Sequence, residues 1–241
     1  MQICAKSDRG MVRELNEDSF AQWEQEPYTV MIVADGMGGH NAGEVASSMA
    51  VQKMQEYIQE HLDQEAAPQV LEQAMSYANQ AIFTRAKEDA AYAAMGTTAV
   101  ICCVTGGEAY FANVGDSRAY LLSEDGIEQV TEDHSLVMEL LRQGEISPEE
   151  AVHHPQKNVI TRALGTERTV QTDLYHCELR PEDILLLCSD GLTGMMQDEE
   201  IASVMWTDGS LEQRVDRLVA TANERGGYDN ITVIAAVRKE G

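Results

Sequence analysis

TTAVICCVTGGEAYFANVGDSRAYLLSEDGIEQVT, residues 97–131, decides the fold class. Four stretches of strand character, 97–104, 108–114, 118–122 and 127–131, are joined by turns as short as Gly106-Gly107 and Glu124-Asp125-Gly126. Joins of that length close antiparallel hairpins, because a parallel crossover needs a dozen or more residues. Two helical patterns lie upstream. Residues 42–62 place Val45, Ala46, Met49, Ala50, Met54, Tyr57 and Ile58 on one side at spacings of three and four, and 70–86 repeat this with Leu71, Ala74, Met75, Ala78, Ile82 and Phe83. Met49, Met54 and Met75 therefore read as core. Before the helices come strands at 19–24 and 29–34, the second continuously apolar from Val30 onward. Downstream, a helix at 136–142 closes at Gly144, and Ser147-Pro148-Glu149-Glu150 supplies an N-cap, a first-turn proline and an acid at N3. Strands at 170–177 and 184–188, helices at 198–205 and 211–225, and a strand at 231–237 complete the chain. Runs of strands with helices in pairs make an α+β fold in which helices cover antiparallel sheets.

The 241 residues show no Pro/Gly/Ser-rich linker and no internal repeat, so one domain spanning 1–241 is expected. A net charge of −24 and a pI near 4.4 argue against a nucleic-acid backbone or an anionic membrane surface as partner. With 44% hydrophobic residues the acidity does not mean disorder. The N-terminus has no signal-peptide core and no apolar run is long enough to span a bilayer. Five cysteines, an odd number without a C-x-x-C pair, argue against a disulfide framework or a zinc knuckle. The expectation is a monomer in a reducing cytoplasm.

Certain aspartates stand out by position. Asp35 follows Val30-Met31-Ile32-Val33-Ala34, Asp116 follows Tyr110-Phe111-Ala112-Asn113-Val114-Gly115, and Asp190 follows Ile184-Leu185-Leu186-Leu187-Cys188-Ser189. Each closes an apolar strand beside a glycine. Asp18 and Asp229 instead stand just before strands. In antiparallel sheets, strand starts and strand ends share an edge, so these acids can meet at one rim. Any one Asp-Gly taken alone reads better as a turn; the repeated placement after buried runs is what favours convergence. Clustered carboxylates repel and recruit cations, and without His or Cys they select Mg²⁺ or Mn²⁺ over zinc. Such a rim suits a hydrolase with two ions about 3.5–4 Å apart. Arg13, three residues before Asn16-Glu17-Asp18, is the best-placed guanidinium for a phosphate.

Together these motifs resemble the PPM (PP2C-type) metal-dependent Ser/Thr protein phosphatases in their compact bacterial form. The matching pieces, in family order from residue 13 to 232, are Arg13-Glu14-Leu15-Asn16-Glu17-Asp18, Asp35-Gly36-Met37-Gly38-Gly39-His40 with Gly43-Glu44, and Met95-Gly96-Thr97-Thr98. Asn113-Val114-Gly115-Asp116-Ser117-Arg118, Asp133-His134-Ser135 and Thr161-Arg162-Ala163-Leu164-Gly165 follow, then Ser189-Asp190-Gly191-Leu192 and Asp229-Asn230-Ile231-Thr232. The resemblance implies a four-layer α/β/β/α sandwich of two antiparallel sheets flanked by helix pairs. It implies two divalent ions per chain, Mg²⁺ or Mn²⁺, with Asp35 bridging them, Gly36 lending its carbonyl, and Asp190 and Asp229 completing the second site. A third, weaker ion would use Asp116 and Asp190. Asp18 would act mostly through water, with Glu17 a lesser candidate, and Arg13 would hold the phosphate. Residues 134–165 resemble the family's flap beside the site, and there His153 and His154 read as a solvated helix end. Many eukaryotic members carry a His at the position of Met37, proposed as a general acid; His40 does not match it and reads as structural.

The activity so implied is hydrolysis of phosphoserine and phosphothreonine in proteins, by in-line attack of metal-bound hydroxide, opposing a Ser/Thr kinase. A non-catalytic regulatory relative would have lost metal ligands, and none is lost. A two-metal phosphoesterase of small phosphate esters differs only in substrate. Cysteine-based phosphatase chemistry is disfavoured, because no cysteine is followed six positions later by arginine.

Overall fold

The computed structural model describes residues 1–38, 42–152 and 154–238, so His40 and His153 lie outside the described residues. The first half of the chain runs β1 (Gln2–Asp8), β2 (Asp18–Gln25), β3 (Tyr28–Met37), α1 (Ala42–His61), α2 (Ala67–Glu88), β4 (Gly96–Thr97), β5 (Ala99–Thr105) and β6 (Glu108–Val114). It continues with β7 (Arg118–Ser123), β8 (Gly126–Gln129), α3 (Leu136–Gln143), α4 (Pro148–Val152), β9 (Asp173–Glu178), β10 (Ile184–Cys188), α5 (Asp190–Thr193), α6 (Asp198–Met205), α7 (Leu211–Glu224) and β11 (Ile231–Val237).

One sheet has the order β2-β3-β5-β6-β9, with β4 paired to β3; the other has the order β1-β11-β10-β7-β8. Every pairing is antiparallel. Strand alternation explains why they stack. On β3, Met31 and Val33 meet Val100, Cys102 and Phe111 and the facing side chains Leu185, Leu187, Ile234 and Ala236 of the second sheet. The alternate residues Val30, Ile32 and Ala34 pack outward against Ala46, Ala50, Met54 and Ile58 of α1 and against α2. The second sheet does the same, with Leu186, Cys188, Val233 and Ala235 under Ile201, Val215 and Leu218 of α6 and α7. A strand buried on both faces reads as an unbroken apolar run, and each such side chain contributes about 1.5–3 kcal/mol. The four-layer α+β expectation is met, and Met54 and Met75 are fully buried while Met49 packs at the margin of the same core. All five cysteines are free. Among the described residues no helix is long and apolar enough to cross a membrane.

The short helix α5, the break of 97–104 into β4 and β5, and three further features depart from the expected elements. β1 has no counterpart in the sequence reading, because Gln2–Asp8 is a half-exposed edge strand of mixed polarity. The strand expected from 170 begins at Asp173. The join 115–117 is not a hairpin: β6 belongs to one sheet and β7 to the other, so Gly115-Asp116-Ser117 crosses between them. Gly115 has φ +108°, and a Cβ there would lie 2.5 Å from Thr98 Cβ, so only glycine makes the crossing.

In the segment 134–165, the Ser135 side chain caps α3 and Gly144 ends it at φ 72°. Ser147 and Glu150 form the reciprocal capping pair at α4, with bonds of 3.2 and 2.8 Å. The segment is pinned at its base, where Leu136 N–H donates to the Val159 carbonyl and Thr161 N–H to that of His134.

Candidate active site

The strand registers bring the predicted acids to one end of the sandwich. Asp18 opens β2 directly opposite Asp35 on β3. Like charges at facing positions of an antiparallel pair repel, so this register is unfavourable unless something compensates. Asp190 starts α5 just past β10, Asp229 precedes β11, and Asp116 sits in the crossing between the sheets. Arg13, Asp35, Gly36, Asp116, Asp190 and Asp229 line one cleft of about 280 Å³. Asp18 does not line it; buried opposite Asp35, it borders a neighbouring cavity with Ser7 and Asn16, and Ser189 Oγ donates to its Oδ2 at 2.7 Å.

Burial is the largest influence on these carboxyls and their mutual charge adds to it. Asp35 is held well above the usual carboxylate range, by burial first and then by Asp18, Asp190, Asp116 and Asp229. Burial likewise pushes Asp18 and Asp116 up to about 7, and Asp190 is raised by burial and by Asp229. The Oδ1 atoms of Asp18 and Asp190 are buried with no hydrogen-bond partner. An unpartnered buried carboxylate oxygen costs several kcal/mol unless it is neutralised or bound. Among the described residues, no three acidic, His or Cys side chains draw in to the spacing at which they would share one ion. Hard divalent ions of the magnesium class keep several waters and use one or two carboxylates, so this splayed oxygen-only set fits them and not zinc.

The backbone around Asp35 is fixed by short-range bonds. Its N–H donates to Thr98 Oγ1 at 3.1 Å, and its carbonyl accepts from Thr97 Oγ1 and Thr98 N–H at 2.8 and 2.9 Å. Arg13 Nη2 donates to Asp229 Oδ2 at 2.7 Å, so the expected phosphate-holding guanidinium is paired with an acid of the same cleft. His134 braces the far side: its Nδ1 accepts from Gly115 N–H at 2.9 Å, one residue before Asp116, and its own N–H returns to the Gly115 carbonyl.

A family model described as protein phosphatase 2C matches residues 11–233. The chain belongs to the protein phosphatase 2C family. The serine/threonine phosphatase stp of Listeria innocua is 42% identical over 237 residues, covering 97% of this chain and 94% of that protein. Protein phosphatase PhpP of Streptococcus pneumoniae is 40% identical over 238 residues, covering 97% and 96%. Among solved structures, serine/threonine phosphatase Stp1 from Staphylococcus aureus superposes with a TM-score of 0.94 at 38% identity, covering 99% of this chain and 95% of that one. The catalytic domain of the phosphatase PstP, solved in complex with 2 manganese ions, gives a TM-score of 0.85 at 34% identity, covering 99% and 98%. The resemblance drawn from the motifs therefore stands, and the chain is an enzyme of the protein-phosphatase class.

Other members of this 2C-type cleft were not evident as site residues. Gly38, Thr98, Asn158 and Ile160 also line it; Met37 and the lesser candidate Glu17, both singled out in the sequence, line it too, and burial raises the Glu17 carboxyl. Asn230 organises its rim: its Oδ1 accepts from Glu17 N–H at 2.8 Å, and its Nδ2 donates to the carbonyls of Arg9 and Leu15. The signal available for Asn230 was its place beside Asp229 in the last motif. Gly36 is required by close approach, since a Cβ there would lie 2.1 Å from the Gly43 carbonyl and 2.6 Å from that of Glu17. Gly36→Ala is expected to push α1 off the site and cost about 2–4 kcal/mol, read as a lowered Tm by calorimetry.

Proposed function

We propose that this chain hydrolyses phosphoserine and phosphothreonine in proteins with divalent cations held by Asp18, Asp35, Gly36, Asp116, Asp190 and Asp229. The observation carrying this reading is that five of those six groups and Arg13 line one cleft, with unpartnered carboxylate oxygens on Asp190 there and on Asp18, which stands opposite Asp35. The names of the stp and PhpP relatives support the substrate class, and the manganese-bound PstP structure supports the metal class. The reading takes two ions, Mg²⁺ or Mn²⁺, and a third, weaker one toward Asp116. When bound, such ions lower the pKa of water and neutralise phosphate oxygens.

The chain's own residues do the rest. Asp35, locked through Thr97 and Thr98, keeps its carboxylate aimed into the cleft. Arg13 exchanges Asp229 for two oxygens of the substrate phosphate, which its planar fork fits. Asn158 and Ile160, from the segment 134–165, bound the opening, consistent with that segment acting as a flap. The same reading takes residues 1–241 as one catalytic domain, working as a monomer in the cytoplasm against the products of a Ser/Thr kinase.

The test is turnover of a phosphothreonine peptide, a nucleotide and p-nitrophenyl phosphate with Mn²⁺. Preference for the peptide supports the proposal, whereas preference for the nucleotide assigns a small-ester phosphoesterase, and no turnover of any of the three refutes catalysis. Arg13→Ala is expected to raise KM about tenfold or more, since it removes a bidentate phosphate contact.

A further inference from the structure

Four of the nine large hydrophobic side chains exposed among the described residues flank the cleft's own Arg13 and Asp229. Met11, Val12 and Leu15 are 69%, 60% and 43% exposed, and Tyr228, next to Asp229, is 62% exposed. None belongs to the three hydrophobic cores. Scattered single apolar residues are ordinary on a surface, but a group on two touching loops beside a reaction site marks an interaction surface.

The loops are held rigid. Met11 N–H donates to the Gly227 carbonyl at 2.8 Å, and Arg13 joins Asp229 at 2.7 Å, so the two segments are tied twice. Asn230 clamps the first loop at Arg9 and at Leu15. The Tyr228 ring lies against Gly226, where a Cβ would be 2.8 Å from it, and φ of +130° there admits only glycine without strain. The side chains are thus displayed on a backbone ordered before any ligand arrives, which lowers the entropic cost of binding.

We infer that Met11, Val12 and Tyr228 form an apolar platform that receives a bulky apolar side chain flanking the phosphoresidue of the protein substrate. The inference rests on the proposed phosphoprotein activity. The platform is continuous with Arg13, and a substrate with its phosphate on Arg13 lays its neighbouring residues over it. A second copy of this chain is a poor occupant, because each copy carries −24.

Two phosphothreonine peptides differing only in flanks, Leu and Phe against Ser and Gln, test this with Mn²⁺. The wild type should prefer the apolar peptide by about tenfold in kcat/KM. In the Met11→Ser/Tyr228→Ser variant, with Tm within a few degrees of wild type, that preference should vanish while turnover of phosphothreonine amide is unchanged. Equal rates on both peptides by the wild type, or a preference that survives in the variant, would overturn the inference. A change of oligomeric state by ultracentrifugation with the preference intact would assign the patch to self-association instead. Turnover of phosphothreonine amide but of neither peptide would sink the protein-phosphatase reading itself, and this inference with it.

Discussion

Asp35→Asn is expected to lower kcat on p-nitrophenyl phosphate by about 10³-fold or more while making the metal-free protein more stable. The carboxylate is half-buried in the cleft, stands opposite Asp18 in the sheet register, and feels Asp190, Asp116 and Asp229 as well. Asn keeps its shape and its place between Thr97 and Thr98 but removes the charge at the centre of the cluster. Losing an acid that lines the cleft removes about 4 kcal/mol of barrier lowering at that rate ratio. Removing one of several mutually repelling charges works in the opposite direction on folding. The two readouts, turnover with Mn²⁺ and Tm in chelator, must therefore move apart. An Asp35 that merely made a turn would leave kcat unchanged, and one that merely stabilised the fold would lower both.

A second large effect is the pH dependence of the metal-free protein. Asp18 and Asp116 sit near 7, and Asp35 and Asp190 are also raised, all by burial first. Between the unfolded carboxylate range near 4 and about 7, the folded chain binds more protons than the unfolded one. Stability is then fullest below about 4 and is lost as pH rises through 7. His134 acts oppositely, since burial lowers its pKa and the folded chain there holds fewer protons, but it is one group against five raised carboxyls, Glu17 included. The lowered Asp173 contributes its loss only at more acidic pH. In chelator, Tm is expected to fall by roughly 10 °C from pH 5.5 to 8. With saturating Mg²⁺ or Mn²⁺ the slope should reverse, because protons compete with the cations for the same oxygens. Thermal unfolding across that range checks both arms, and a flat or rising profile in chelator would mean the carboxylates are not crowded as described.

Much of this is legible in the amino-acid sequence. The unbroken run Val30-Met31-Ile32-Val33-Ala34 marks a strand covered on both faces, and the helical spacing of Ala46, Ala50, Met54 and Ile58 marks what covers it. Periodicity of this kind is local, so it survives in the bare chain. β1 escaped because a half-exposed edge strand has no such pattern, and Ser189 escaped as the partner of Asp18 because the two are 171 residues apart.

By itself, then, the chain determined its family, its antiparallel layers and the identity of the acids that flank strands, because residue type and spacing carry those directly. Only the tertiary structure decided that 115–117 crosses between sheets, that Asp18 borders a neighbouring cavity and not the cleft, and that Arg13 is paired with Asp229 across 216 positions. Those relations come from sheet register and from stacking two sheets over a shared core. Both are set by burial summed over the whole molecule, which no short stretch of residues specifies.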